Sequence, residues 1–155
     1  MIRMLCLMSL SFSLCLLLQT ADLSAIPEGI FSPAERAKLE RESKVENRIK
    51  VYQTASERIH GSFLEAISKD QFPSVPETLK LWTSLLAESL KDIEANLKSK
   101  RPRALIKFEI HVRKAIAAVQ DGKIRAPVEQ QDFFDACLAQ ASATHKRLVE
   151  ILFPS

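Results

Sequence analysis

VENRIKVYQTASERIHGSFLEA, residues 45–66, is the stretch on which the fold turns. Val45, Ile49, Tyr52, Ser56, Ile59, Phe63 and Ala66 recur in it with alternating spacings of four and three. On an α-helix that spacing gathers the apolar and small side chains on one face, the seam of an antiparallel bundle. A strand would need strict alternation of polar and apolar residues, which this stretch lacks.

Working upstream, Ser32-Pro33-Ala34-Glu35 spells a helix start. The serine oxygen accepts from a free backbone amide, proline at the first helical position loses nothing, and the glutamate returns a bond. No Pro or Gly follows before Val45, so one long first helix is expected from Pro33 to about Ser68, on the order of 50 Å in length. Its opening third, PAERAKLERESK, has Leu39 as its one large apolar residue. This part is expected to project into solvent or pack on a second copy, and Gly61 to soften the other end.

Downstream, DQFPSVP (Asp70–Pro76) reads as a turn because two prolines stop a helix. A second helix from about Glu77 to Ser99 places Leu79, Trp82, Leu86, Ser89 or Leu90, Ile93 and Leu97 on its seam. Pro102 opens a third, with Leu105, Phe108, Val112, Ile116 and Val119, and DGKIRAPV (Asp121–Val128) ends it. A fourth runs from about Glu129 to Phe153, with Phe134, Leu138, Ala141, His145, Leu148 and Leu152 at seam spacing. Short connections make successive helices antiparallel. The expected architecture is therefore all-α: an up-down-up-down four-helix bundle with a long first helix, one domain over residues 32–155. No internal sequence repeat is evident.

Composition agrees with long helices. The 155 residues include only three Gly, and 46% are hydrophobic, enough to bury a core. The first residues differ in kind: MIRM carries a positive charge, and an uncharged apolar run, LCLMSLSFSLCLLL, follows. That is the layout of a signal peptide over residues 1–21, with cleavage after Ala21 or Ala25 and an irregular lead-in over residues 22–31. A secreted or periplasmic location is expected, with an uncleaved N-terminal membrane anchor as the alternative. Cys6 and Cys15 fall in this leader. The remaining Cys137 has no intramolecular partner and reads as a small buried hydrophobe.

Motifs for chemistry are missing. There is no glycine-rich phosphate loop, no glycine-flanked nucleophile and no Cys-x-x-Cys-His haem attachment, so no catalytic residue and no cofactor is nominated. Glu57-Arg58-Ile59-His60 has the Glu-x-x-His spacing of di-iron bundles, which puts both groups on one helix face. Neither His111 nor His145 repeats it, since Phe108 and Ser142 stand three residues before them, and Ile59 rather than His60 falls on the seam. Glu57 and His60 are therefore read as solvated. His145 takes a seam position and is expected to be hydrogen-bonded or tucked at an edge. Glu57, His60 and His145 remain the only metal-ligand candidates.

Charge is uneven along the chain. Residues 32–97 hold ten Lys or Arg against eleven acids, whereas residues 98–155 hold eleven against six. Most of the excess lies in KSKRPRALIKFEIHVRK, Lys98–Lys114. On a helix Arg103, Lys107, His111 and Lys114 fall within an arc of about 80°, a wet basic stripe opposite the core seam. Beside it lies a second apolar strip, Ile106, Ile110 and Ala117, which a helix with one core face does not require. Three readings fit: a deeply set helix with both strips buried, a protein interface, or contact with an anionic membrane surface. The candidate interaction surface is thus Arg103, Ile106, Lys107, Ile110, His111 and Lys114.

Together these features lead to an exported, non-enzymatic helical bundle acting by contact with itself, with another exported protein or weakly with an anionic membrane. Nucleic acid is not expected as a partner for an exported chain. The alternative is a periplasmic bundle that binds metal or haem.

Overall fold

The computed structural model describes residues 29–98 and 102–154, and these are all-helical, without strands. The expected signal peptide, most of the lead-in and Ser99 at the end of the second expected helix lie outside the described residues. Within them five α-helices form: α1 (Pro33–Arg41), α2 (Val45–Ser68), α3 (Val75–Asn96), α4 (Arg103–Arg125) and α5 (Gln131–Leu152). Single 3-10 turns at Phe72–Ser74 and Val128–Gln130 lead into α3 and α5.

The single long first helix is the main correction. The helix that starts at Ser32, with its capping box in place, stops at Arg41, and residues 42–44 are non-helical. α1 neither projects nor waits for a second copy. It turns back along α2, so that Glu35 meets Arg58 at 2.9 Å while the Leu39 carbonyl, further along α1, meets Arg48. Ile30, Phe31 and Leu39 are buried by this reversal, and the Phe31 ring sits 6.0 Å from that of Tyr52. Burying such side chains stabilises by roughly 1.5–3 kcal/mol each, which outweighs a few intrahelical bonds. The Glu42 carboxylate braces the break, accepting from the Lys44 backbone at 2.9 Å and from Asn47 Nδ2 at 3.0 Å, although α2 itself has no side-chain cap.

Four long helices pack pairwise: α2 on α3, α4 on α5, α2 on α4 and α3 on α5. The contacts give the directions. Arg48 and Tyr52 near the start of α2 bond Asp92 near the end of α3, and Glu109 and Lys123 of α4 bond His145 and Asp135 of α5, so both hairpins are antiparallel. Ser56 lies beside His111, Phe63 beside Gly122 and Asp70 beside Arg125, so α2 and α4 are parallel neighbours. α3 and α5 are parallel likewise, with Glu94 paired to Arg147.

The seams match this packing with local differences. Positions 49, 52, 56, 59, 63 and 66 of α2 are buried, and so are positions 105, 108, 112, 115, 119 and 122 of α4. The second list is the first shifted by 56, a register repeat visible in burial though not in residue identity. On α3 the buried choice is Ser89, whose hydroxyl donates to the Leu86 carbonyl, and Leu90 is only half-buried. On α5 Thr144, not His145, takes the core position.

α4 also runs further than expected, through Asp121-Gly122 to Arg125. Gly122 is buried, and a Cβ there would stand 2.7 Å from Phe63 Cζ, so this glycine permits close packing of α4 on α2. Gly61 in α2 faces open space. The two therefore respond oppositely to alanine. Gly61→Ala is expected to stabilise by about 0.5–1 kcal/mol through helix propensity alone. Gly122→Ala is expected to destabilise by about 1–2 kcal/mol, because the clash with the buried Phe63 ring exceeds that gain. Urea unfolding of the two variants checks the signs, and a stabilised Gly122→Ala would show that the Phe63 ring yields freely.

Candidate interaction surface and buried histidine pair

Placed on α4, the basic segment divides differently from the expected stripe. Arg103, Lys107 and Lys114 are exposed, but His111 turns towards α2 and is half-buried. Its Nε2 lies 2.8 Å from Ser56 Oγ, and the same oxygen accepts from Trp82 Nε1 at 2.9 Å. Indole nitrogen only donates, so Ser56 satisfies all three groups by giving its own proton to His111 Nε2. Ser56 is fully buried, and this bridge links α2, α3 and α4 without leaving its hydroxyl unpaired.

His60, one turn along α2 from Ser56, is the second correction. It is not solvated. Its ring stands 5.8 Å from Phe63, 6.1 Å from Trp82 and 6.2 Å from His111, and its Nε2 is buried with no hydrogen-bond partner. Burial pushes its pKa down to about 4, His111 pushes in the same direction, and the Ala115 backbone opposes them. Burial also holds His111 below the ordinary imidazole range, with the Glu57 carboxylate opposing. Both rings are therefore neutral at pH 7. The seam count missed His60 because it treats each helix as having one inward face, whereas α2 has a flank turned to α4.

His145 lies on the flank of α5 that faces α4, with Nε2 2.7 Å from Glu109 Oε1. Glu109 also accepts from Arg113 at 3.2 Å. Glu57 is exposed on α2, so the three metal-ligand candidates sit in separate surroundings: solvent, the α2–α3–α4 interior and the α4–α5 seam. Among the described residues no group of three or more His, Cys, Asp or Glu forms a metal-binding set. Cys137 is buried, and burial pushes its thiol up to about 12.

Two open grooves flank the parallel pairs. One, of about 400 Å³, is lined by Glu46, Lys50 and Glu57 of α2 against Arg103 and Lys107 of α4. The other, of about 630 Å³, lies between Leu90 of α3 and Ala143 of α5, with Glu94 and Arg147 on its rim. No family model, curated protein or solved structure matches this chain. Its function must therefore be argued from its own surfaces.

The apolar strip of α4 answers the question it posed. Ile106 is 44% exposed, Ala117 is exposed and Ile110 is half-buried, so α4 is not sunk with both strips covered. Its core face is complete in Leu105, Phe108, Val112, Ala115 and Val119. Ile124, which falls on the same outward line one and a half turns beyond Val119, is 84% exposed.

A network that the seam pattern did not signal holds α1 to the rest. Arg48 grips Asp92 through two bonds of 2.8 Å, and its Nη1 donates to the Leu39 and Glu42 carbonyls at 2.8 and 3.2 Å. Tyr52 Oη donates to Asp92 at 2.8 Å. Burial and the Asp92 carboxylate both raise the Tyr52 pKa. The only sequence signal was a strong cation and an acid beside two seams, too common a pattern to single out.

Proposed function

We propose that this protein is an exported, non-enzymatic four-helix bundle that acts through surface contact. Export rests on the charged and apolar leader of residues 1–21, and a secreted or periplasmic location follows from it. The contact reading rests on one observation: the outward face of α4 exposes Ile106 and Ala117 beside basic side chains, although the core of the molecule is already complete without them. No described helix is long and apolar enough to cross a membrane, so the described residues would meet a surface rather than span one.

A metal- or haem-binding role has no observation that favours it, since Glu57, His60 and His145 do not converge. Ile106→Asp tests the contact reading. The variant is expected to lose self-association or partner capture in chemical crosslinking and light scattering while keeping its helical circular dichroism. If wild type and variant behave alike as non-associating monomers and bind no surface, the reading falls.

A further inference from the structure

We infer that the outward ridge of α4 is a docking face for an anionic lipid surface. This rests on the contact reading above and names what is contacted. At 100° per residue Ile106, Ile110, Ala117 and Ile124 fall within an arc of about 40°, a straight apolar line about 27 Å long. Ile106 and Ile124 are the most open of the isoleucines on it, at 44% and 84% exposure. Arg113 flanks the line on one side and Lys107 and Lys114 on the other, with Arg103 at its start, and all four are exposed.

The charges on this ridge suit an anionic surface. Among the described residues Arg103, Lys107 and Lys114 make no ion pair, whereas Arg113 shares Glu109 with His145. Asp121 is the one exposed acid of α4, since Glu109 is turned to α5. Glu46 and Glu57 lie across the groove from Arg103 and Lys107, on the neighbouring helix. The long Lys and Arg stems let the charges reach headgroup level beside isoleucines that dip below it.

Shape separates a bilayer from a protein partner. The apolar residues run in a single file along the outward side of α4; the α2–α4 groove lies on its Arg103 and Lys107 flank, and the other groove lies away from it, between α3 and α5. A protein interface needs a packed patch several residues wide. An interfacial helix needs only such a line, with cations on both flanks. Because the apolar line is thin, attraction to negative headgroups must supply much of the affinity, which makes binding salt-sensitive.

The test is cosedimentation with vesicles, using protein recovered from the exporting cell with whatever N-terminus it then carries. Wild type, Ile106→Asp and Lys107→Glu/Lys114→Glu differ only in α4, so any contribution of the leader cancels. Wild type is expected to bind phosphatidylglycerol vesicles, to bind phosphatidylcholine vesicles at least tenfold less, and to be released by 0.5 M salt, a concentration at which the Debye length falls to about 4 Å. Each variant is expected to bind phosphatidylglycerol at least tenfold more weakly with unchanged helical signal. Equal binding by all three proteins, or no preference for the anionic lipid, overturns the proposal. If vesicles are not bound but Ile106→Asp abolishes crosslinking to a protein, the ridge is a protein interface and only the lipid assignment fails. If neither assay responds, the contact reading fails with it.

Discussion

Asp92→Ala is expected to lower the free energy of unfolding by about 3 kcal/mol, the largest loss foreseen for a single side chain outside the apolar core. Removing the carboxylate leaves the Arg48 guanidinium half-enclosed and still pointing at the Leu39 and Glu42 carbonyls, and the Tyr52 hydroxyl, which keeps its bond from Arg48, loses the acceptor for its proton. Breaking a buried pair by deleting one partner costs about 3–5 kcal/mol, and the low end applies because the two side chains retain 22% and 15% exposure. The midpoint of thermal unfolding should fall by on the order of 10 °C. The loss should also be local, with residues 42–44 becoming the first site of proteolysis as α1 lifts away. A loss below about 1 kcal/mol would reduce this network to the standing of an exposed ion pair.

The second large effect is acid lability centred on His60. Its folded pKa, about 4, lies below the ordinary imidazole value of 6.5. Between those values the unfolded chain binds more protons than the folded one, so stability rises with pH through the window. The contribution is full above about pH 7 and is lost as the pH falls towards 4, amounting to about 3 kcal/mol for His60, with His111 acting in the same sense. Carboxylates act lower on the scale. Burial raises Glu35, but its bonds to Arg58 and Ser32 win and hold it below the usual 4.5, so its contribution is lost only beneath that value. His60→Leu keeps a similar volume among Phe63 and Trp82 and removes a buried nitrogen that has no partner. It should therefore be more stable than wild type at pH 5 and should lose most of the slope between pH 4 and 6.5 in urea titrations. A slope identical to that of wild type would show that His60 opens to water at little cost.

The helices were readable because each carries a seam with the helical period, and large side chains such as Phe63, Trp82, Phe108 and Phe134 occupy it. Turns were readable where Pro73 and Pro127 interrupt the pattern, whereas Pro76, expected in the turn, sits in the first turn of α3. The break at residues 42–44 was not, because Glu42, Ser43 and Lys44 contain no residue that forbids a helix. What ends α1 is tertiary: the burial of Ile30, Phe31 and Leu39 as the segment folds back along α2, fastened by Arg48 and Arg58. His60 and His111 escaped for a related reason. A periodicity count finds the face turned to the centre, not the flanks where two parallel helices touch. The Ile106 strip was visible in sequence, but whether it met protein or solvent depended on which helices flank α4.

The parallel pairing of α2 with α4 and of α3 with α5 also bears on how the chain finds its structure. Within each hairpin, the contacts nearest the turn close short loops, 12 positions for Lys123 with Asp135, and those further along follow from them. Between the hairpins, the contacts join residues far apart in sequence, 55 positions for Ser56 with His111 and 53 for Glu94 with Arg147. Loop-closure entropy must be met before such pairs contribute, and rates fall as contact order rises. Each hairpin is thus positioned to form early, with the docking of one on the other as the slower step, and the Ser56–His111–Trp82 bridge is completed only when that docking has occurred.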